Sequence, residues 1–466
     1  MGRNSSYNNG LNGNRAPRLL PLLLVALFIL RWWLGTLEGY APDLTAYKQW
    51  ALVAGTEGIH TVFDRSSYDY PPLYAYLLAP IGQLYAWLAP GAVAEFSRTR
   101  FFGDSALFSL LIKLPPLAFD ILIAFLLGTL ALRFGVWSRI SNRGGWLPAL
   151  VYLFLPPVLF DSGYWGQPDA VHTFSIFLGL TLILVGKPEL GWVAAALACM
   201  MKPLAVPFLP LLALATLVRS GWRRLFTGGL AALATCGLLL LPFLLSGRGG
   251  LVYQQLFQDL DLMAFTSVNG HNLWWLIAPW QPADKPWLGP LTPTHVGLAL
   301  LGIAYVLILA GIWRAERSQL GHGSIIARGS QPLSCQQHWY IAGAAVAFAF
   351  FMFSTHMHEN HLFSSLPFLV LIAGMGGRWL TLCLLASIGM LINMVFHDLT
   401  LGETLLQHVG GPSSFFHPDI HRYLSRFEWT VINVNSAFLF VLTLLLFYWG
   451  KTFRPLPAPP RVDLDA

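Results

Sequence analysis

Runs of apolar residues, each closed by proline, glycine or a basic residue, recur from residue 19 almost to the C-terminus. A helix needs about 20 apolar residues to cross a bilayer core, and only helices or closed barrels can satisfy their backbone there. The runs fall at residues 19–37, 106–132, 146–160, 171–185, 191–201, 204–217, 225–245, 295–313, 339–353, 362–376, 379–396 and 429–450. They predict an all-α polytopic integral membrane protein of about twelve transmembrane helices. Charged residues make up 11% of the 466 and hydrophobic residues 55%, which excludes a disordered chain and an ordinary soluble enzyme.

The runs at 191–201 and 204–217 are too short to cross singly. They predict a hairpin that turns at Lys202-Pro203 inside the protein, where other helices cover the broken backbone. Arginine and lysine collect in alternate short segments: Arg3, Arg15 and Arg18; Arg133, Arg139 and Arg143; Arg219, Arg223 and Arg224; Arg314, Arg317 and Arg328; Lys451, Arg454 and Arg461. This asymmetry predicts that both termini are cytoplasmic and that residues 38–104 form a long first outer loop. Residues 71–90 are apolar enough to span, but a crossing there would carry the segment 133–143 to the outside. The stretch therefore reads as an amphipathic or re-entrant surface helix. The net charge of +6 follows from topology and does not indicate nucleic acid. Residues 1–18 are polar and basic, like the start of a signal peptide. Arg31-Trp32-Trp33 offers no small-residue cleavage site, so the first run is expected to stay as a span. The four cysteines, Cys199, Cys236, Cys335 and Cys383, form no CxxC pair and indicate neither zinc nor a disulfide framework.

Polar residues that cost something in such a chain are the functional candidates. Asp43 shares a helix face with Tyr47 and Trp50; it reads as a helix N-cap or as a carboxylate that takes a proton from an incoming hydroxyl. Asp69, just before Tyr70 and the paired Pro71-Pro72, reads as a cap or as a second acid in the same cavity, with Asp64 near by. The second outer loop packs Asp161, Trp165, Gln167 and Asp169 into nine residues. These are sugar-binding side-chain types, or alternatively an interfacial tryptophan and a cap at Asp169. Lys202 stands between apolar neighbours, where an ammonium could pair with a lipid phosphate. Lys113 and Asp120 are similarly costly in the second run, and Lys113 is expected to reach the outer interface. The segment 355–361 holds His356, His358, Glu359 and His361. It lacks the H-E-x-x-H zinc spacing and reads as a phosphate or leaving-group site, not a metal site. The segment 246–291 carries Asp259, Asp261, His271 and Asn272 and is expected to add a short surface helix and a polar turn.

Taken in order, these motifs resemble GT-C glycosyltransferases. Asp43 with Trp50, then DYPPLYAY (69–76), resembles the first luminal loop of the dolichyl-phosphate-glucose glucosyltransferases of N-glycan assembly. FDSGYWGQPDA (160–170), MKPLAVPFLP (201–210) and HMHEN (356–360) resemble their second-loop motif, lysine-bearing hairpin and HxHE element. The Trp-Gly-Gln-x-Asp form and NLWWL (272–276) are closer to bacterial membrane proteins related to the second mannosyltransferase of GPI-anchor assembly. The likeness covers residues 19 to 367. Asn360 departs from it, standing where those enzymes usually have lysine or arginine.

The resemblance implies a GT-C-like membrane catalytic module at 19–376 with its catalytic loop at 38–104, further membrane helices at 377–450, and cytoplasmic tails at 1–18 and 451–466. It implies an enzyme of a bacterial inner membrane. That enzyme would move a hexose, by inverting displacement, from a polyprenyl-phosphate-linked donor to a lipid-linked or other extracytoplasmic acceptor. No cofactor, metal or nucleic acid is implied; membrane lipids are the other partners. Asp43 would be the general base. Lys202, His358 and His356 would hold the donor phosphate. Trp50, Asp69, Tyr70, Trp165, Gln167, Asp169, His271, Asn272 and Glu359 would hold sugar or acceptor. The competing expectations are a transporter or flippase of lipid-linked sugars, which should show inverted repeats, and a non-catalytic assembly subunit on the same fold.

Overall fold

A computed structural model of the chain describes residues 20–37, 39–99, 105–137, 146–257, 264–320, 336–409, 423 and 426–451. Asp259, Asp261, Arg139, Arg143, Cys335 and both predicted tails apart from Lys451 lie outside them. Among the described residues the chain is all helical, with no strand. The twelve apolar runs all fold as helix, but length separates them. Among the described residues six helices are long and apolar enough to cross a membrane, and nine if each bent helix pair counts as one span. The chain is thus a helical membrane protein.

Helix α1 (Leu20–Thr36) is followed by α2 (Ala41–Thr56), α3 (Leu73–Leu88) and α4 (Pro90–Thr99). Helices α3 and α4 meet at a 108° bend, so residues 71–90 do not continue straight into a longer helix. Pro90 cannot extend the α3 hydrogen-bond ladder, which accounts for the break. Helices α2 and α3 pack closely through glycine: a Cβ on Gly82 would overlap the Ala51 carbonyl. Behind this crossing Tyr47, Trp50, Tyr68, Tyr70 and Tyr74 form an aromatic cluster, mostly edge-to-face with centroids 5.0–6.3 Å apart.

The long helix α5 (Ala106–Phe134) leads to α6 (Trp146–Phe154) and a wide, π-type turn, Leu159–Trp165. Next come α7 (Asp169–Leu184), α8 (Pro188–Cys199), a 3-10 turn (Pro203–Phe208) and α9 (Leu209–Ser220). The expected hairpin at Lys202-Pro203 is present. Its second leg was expected to be too short to cross; turn and helix together run over 18 residues, Pro203–Ser220, which is long enough. Helices α10 (Trp222–Leu245) and α11 (Pro293–Leu320) are largely exposed apolar surface, as helices facing lipid are. Between them, residues 249–257 and 273–277 are helical, matching the short helix and turn expected there. Helix α12 (Gln337–Phe353) is alanine-rich and buried all round, so it forms the centre of the bundle with α13 (Leu366–Ala373). Helices α14 (Gly377–Val409) and α15 (Glu428–Lys451) complete the chain.

Two costly charges are explained within the bundle. Arg31 on α1 donates to Asp120 Oδ2 at 2.7 Å and to the Leu153 carbonyl at 3.1 Å, and the Tyr152 hydroxyl donates to Asp120 Oδ1 at 3.0 Å. Lys113 is fully buried, and its ammonium donates to the Leu34 and Leu37 carbonyls at the end of α1. Removing one partner of a buried pair strands the other, at a cost of about 3–5 kcal/mol. Asp120→Asn should therefore lower the unfolding midpoint in detergent markedly, and the Arg31→Leu/Asp120→Leu double variant should recover most of it. A double variant no more stable than the single one would show that the stranded charge is not the cause.

Candidate functional site

Helix α2 begins at the Tyr40–Ala41 junction with proline in its first turn, and no side chain caps it. Asp43 is therefore not an N-cap. Its carboxylate points to the turn that follows α6. Trp165 Nε1 donates to Asp43 Oδ2 at 2.9 Å and Gln167 Nε2 donates to the same oxygen at 2.6 Å. Gln167 Oε1 in turn accepts from the Tyr47 hydroxyl at 3.0 Å and, at 3.4 Å, from the Tyr70 hydroxyl. Two side chains of the 165–167 turn thus donate to Asp43, and two tyrosine hydroxyls of the first outer loop hold Gln167 in place.

The local chain explains why Trp165 and Gln167 point this way. The Asp161 main-chain carbonyl accepts from both Gly166 N (2.8 Å) and Gln167 N (3.0 Å), and Gly166 turns the chain at φ 86°. That left-handed position suits glycine. Wide turns of this kind are common at functional sites. The Asp161 carboxyl group itself is fully buried and has no hydrogen-bond partner among the described residues.

A second group lies beside the first. Lys202 Nζ donates to Asp169 Oδ1 at 2.8 Å, and Asn360 Nδ2 donates to Asp169 Oδ2 at 2.6 Å. The Lys202 ammonium also lies 5.7 Å from the centre of the Tyr70 ring. The cap reading of Asp169 is corrected here. Asp169 caps nothing with its side chain; it holds an ion pair. Lys202 is not an uncompensated ammonium, because desolvating it demands a partner and Asp169 supplies one. Asn360, where the resemblance leads one to expect a cation, completes the Asp169 shell.

The histidine loop is set by strand-like contacts with the segment after residue 264. Val268 N and Gly270 N donate to the Met357 carbonyl at 2.8 and 3.1 Å, and His356 N donates to the Phe265 carbonyl at 3.1 Å. His356 adopts φ 63° and its Nδ1 lies 2.8 Å from Thr355 Oγ1. His358 is half-buried and its ring lies 5.0 Å from that of His361. The surrounding protein and the nearby charge of Lys202 push the His358 imidazole below its usual value.

The acids of the site are pushed the other way. Burial raises Asp43 to about 6, against the pull of its Trp165 hydrogen bond, with the charge of Asp69 adding to the rise. Burial, with a contribution from Asp43, raises Glu359 to about 8, so it is a neutral donor near pH 7. Asp69 stands at the rim, accessible to solvent although protein surrounds it closely. Water screens it, so the titration near neutrality belongs chiefly to Asp43. These groups feel one another's charge and that of Lys202, which gathers Asp43, Asp69, Asp169, Lys202, His358 and Glu359 into one region.

Three candidates are placed otherwise. Trp50 is buried in the aromatic cluster behind Asp43. His271 Nδ1 accepts from Asn435 Nδ2 at 2.8 Å while its backbone N–H donates to Asn393 Oδ1, and burial holds its ring neutral with a pKa of about 3. Asn272 caps the helical turn 273–277, accepting from Trp274 N and donating to the Phe351 carbonyl. The polar atoms of His271 and Asn272 hold helices together. Tyr47 was named only as a neighbour of Asp43, yet its hydroxyl orients Gln167; its i,i+4 spacing from Asp43 was the available signal. Asp64 is remote from this group, bound to Arg248 at 3.1 Å. Among the described residues no set of three or more His, Cys, Asp or Glu side chains has metal-ligand geometry. Comparison with protein-family models and with curated proteins finds no match.

Proposed function

We propose that this chain is a GT-C-type glycosyltransferase that moves a hexose from a polyprenyl-phosphate-linked donor to an acceptor hydroxyl on the extracytoplasmic side. The observation that carries the reading is the Asp43 carboxylate, raised to about 6 and aimed by Trp165 and Gln167, beside a lysine and a histidine loop. A general base works best with a pKa near the operating pH. In the displacement the acceptor oxygen bonds to the anomeric carbon and its proton passes to Asp43. The bond from that carbon to the phosphate oxygen breaks, and polyprenyl phosphate departs with the electron pair. Lys202, His358 and neutral Glu359 supply positive charge and hydrogen-bond donors to the leaving phosphate. Trp165, Gln167, Asp69 and Tyr70 line the sugar and acceptor side. The test is transfer of radiolabel from a panel of polyprenyl-phosphate hexoses by membranes with and without the protein. No protein-dependent transfer from any donor would sink the reading.

The same titrations set a pH profile. Asp43 must be deprotonated to accept a proton, so turnover rises as pH climbs through about 6. Glu359 donates only while protonated, and its anion repels phosphate, so turnover falls as pH passes about 8. Glu359→Gln keeps the donor without the titration and should abolish the alkaline limb while leaving the acid limb in place. An unchanged alkaline limb in that variant would assign it elsewhere.

A further inference from the structure

Lys113 lies on α5 with no exposed surface, and a lysine at such depth is expensive. Its ammonium donates to Leu37 O at 2.7 Å and Leu34 O at 3.2 Å. These are carbonyls at the end of α1, where a cation is favoured; Leu34 O also accepts from Leu37 N at 3.2 Å. Its stem runs beneath the turn after α6: a Cβ on Gly166 would come within 2.9 Å of Lys113 Cγ, and the ammonium lies 6.0 Å from the Tyr164 ring centre. One side chain therefore touches two segments that are far apart in sequence.

Those segments also press on each other. Gly39, at φ 69°, sits so close that a Cβ there would come 2.5 Å from the Tyr164 carbonyl. Leu44 packs under both, 3.1 Å from a Cβ at Gly39 and 3.1 Å from one at Gly166. The first segment leads directly into Asp43. The second carries Trp165 and Gln167.

We infer that Lys113 is a positioning residue for Asp43: it fixes the exit of α1 against the 164–167 turn so that the Trp165 indole and the Gln167 amide both meet the Asp43 carboxylate. The inference rests on the reading of Asp43 as the base. Lys113 touches none of the reacting atoms; it acts through the two segments it joins. Without its ammonium the Leu37 carbonyl loses its charged donor, Leu34 O keeps only the Leu37 N–H, and the two segments can slide. A displacement of about 1 Å at a reacting group can cost ~10²-fold. Losing hydrogen bonds to its charged form would also raise the Asp43 pKa further.

The test uses the full-length protein in detergent, with Lys113→Met, Lys113→Gln and Lys113→Arg measured for turnover between pH 5 and 9. Lys113→Met should lower kcat by about 10- to 100-fold, leave the donor KM near its original value, and move the acid limb upward. Lys113→Arg keeps a cation that can reach the carbonyls and should restore most of kcat. The indole N–H resonance of Trp165 in isotope-labelled protein gives a readout without turnover. It should titrate with Asp43 in the native protein and at higher pH in Lys113→Met. Wild-type kcat and acid limb in Lys113→Met, with Asp43→Asn inactive, would overturn the inference alone. Full activity in both would overturn the reading of Asp43 itself. If Lys113→Met fails to accumulate, Lys113→Gln decides by the same readouts: lower kcat at an unmoved acid limb and an unmoved indole titration would mean a purely structural lysine.

Discussion

Asp43→Asn should reduce turnover at least ~100-fold, the lower bound of a general-base contribution, while the protein still accumulates and still binds donor. Asparagine keeps the shape of the side chain, and its carbonyl oxygen can accept from Trp165 Nε1 and Gln167 Nε2 as Oδ2 does now. The substitution therefore removes basicity and little else. No capping bond is lost, because Asp43 makes none in the native helix. Steady-state transfer of a labelled hexose, with donor binding measured separately, reads the result. Asp64 is not a serious competitor, since it is tied to Arg248. Asp69 is, because it feels the charge of Lys202 and its own charge acts on Asp43. Near-native activity in Asp43→Asn with an inactive Asp69→Asn would move the base to Asp69. If both variants stay active, the glycosyltransferase reading of this loop fails.

Lys202→Met should abolish measurable transfer, and the structure adds a second consequence. The ammonium is bonded to a fully buried Asp169, so its loss leaves that carboxylate with the Asn360 amide as its remaining bonded donor. Breaking a buried pair from one side costs about 3–5 kcal/mol. The single variant should thus be both inactive and less stable. Lys202→Met/Asp169→Asn removes both charges and should recover the unfolding midpoint without recovering transfer. Recovery of transfer in the double variant would mean that Lys202 serves the fold and not the donor phosphate.

The helices and their apolar faces were legible because lipid imposes a length and a composition on any segment that crosses it. The hairpin at Lys202-Pro203 could be read for the same reason, from proline and from a missing few residues of length. The span count was not. The chain bends by 108° between α3 and α4, where Pro90 ends the ladder, and by 61° after α6; the proline is legible in sequence, but whether two legs make one span or two depends on the angle at which they pack.

For the candidate site, the sequence determined which residue types were costly enough to need a reason: Asp43, Asp69, Asp120, Asp161, Asp169, Lys113, Lys202 and the histidine loop. It did not determine their partners, because a buried charge is satisfied by whatever the fold brings within about 3 Å. Arg31 meets Asp120 across 89 residues, Trp165 meets Asp43 across 122, and Asn360 meets Asp169 across 191. His271 and Asn272 had the same polar signature as the others, and only the tertiary structure shows their hydrogen bonds used up between helices. Burial decides the chemistry in the same way: the same carboxyl group is an ordinary acid in water and titrates near neutrality when helices close over it. The sequence fixes where polar atoms are placed along the chain. Which of them remain available for a substrate is settled by three-dimensional packing, since a donor or acceptor already paired inside a low-dielectric interior has little left to offer.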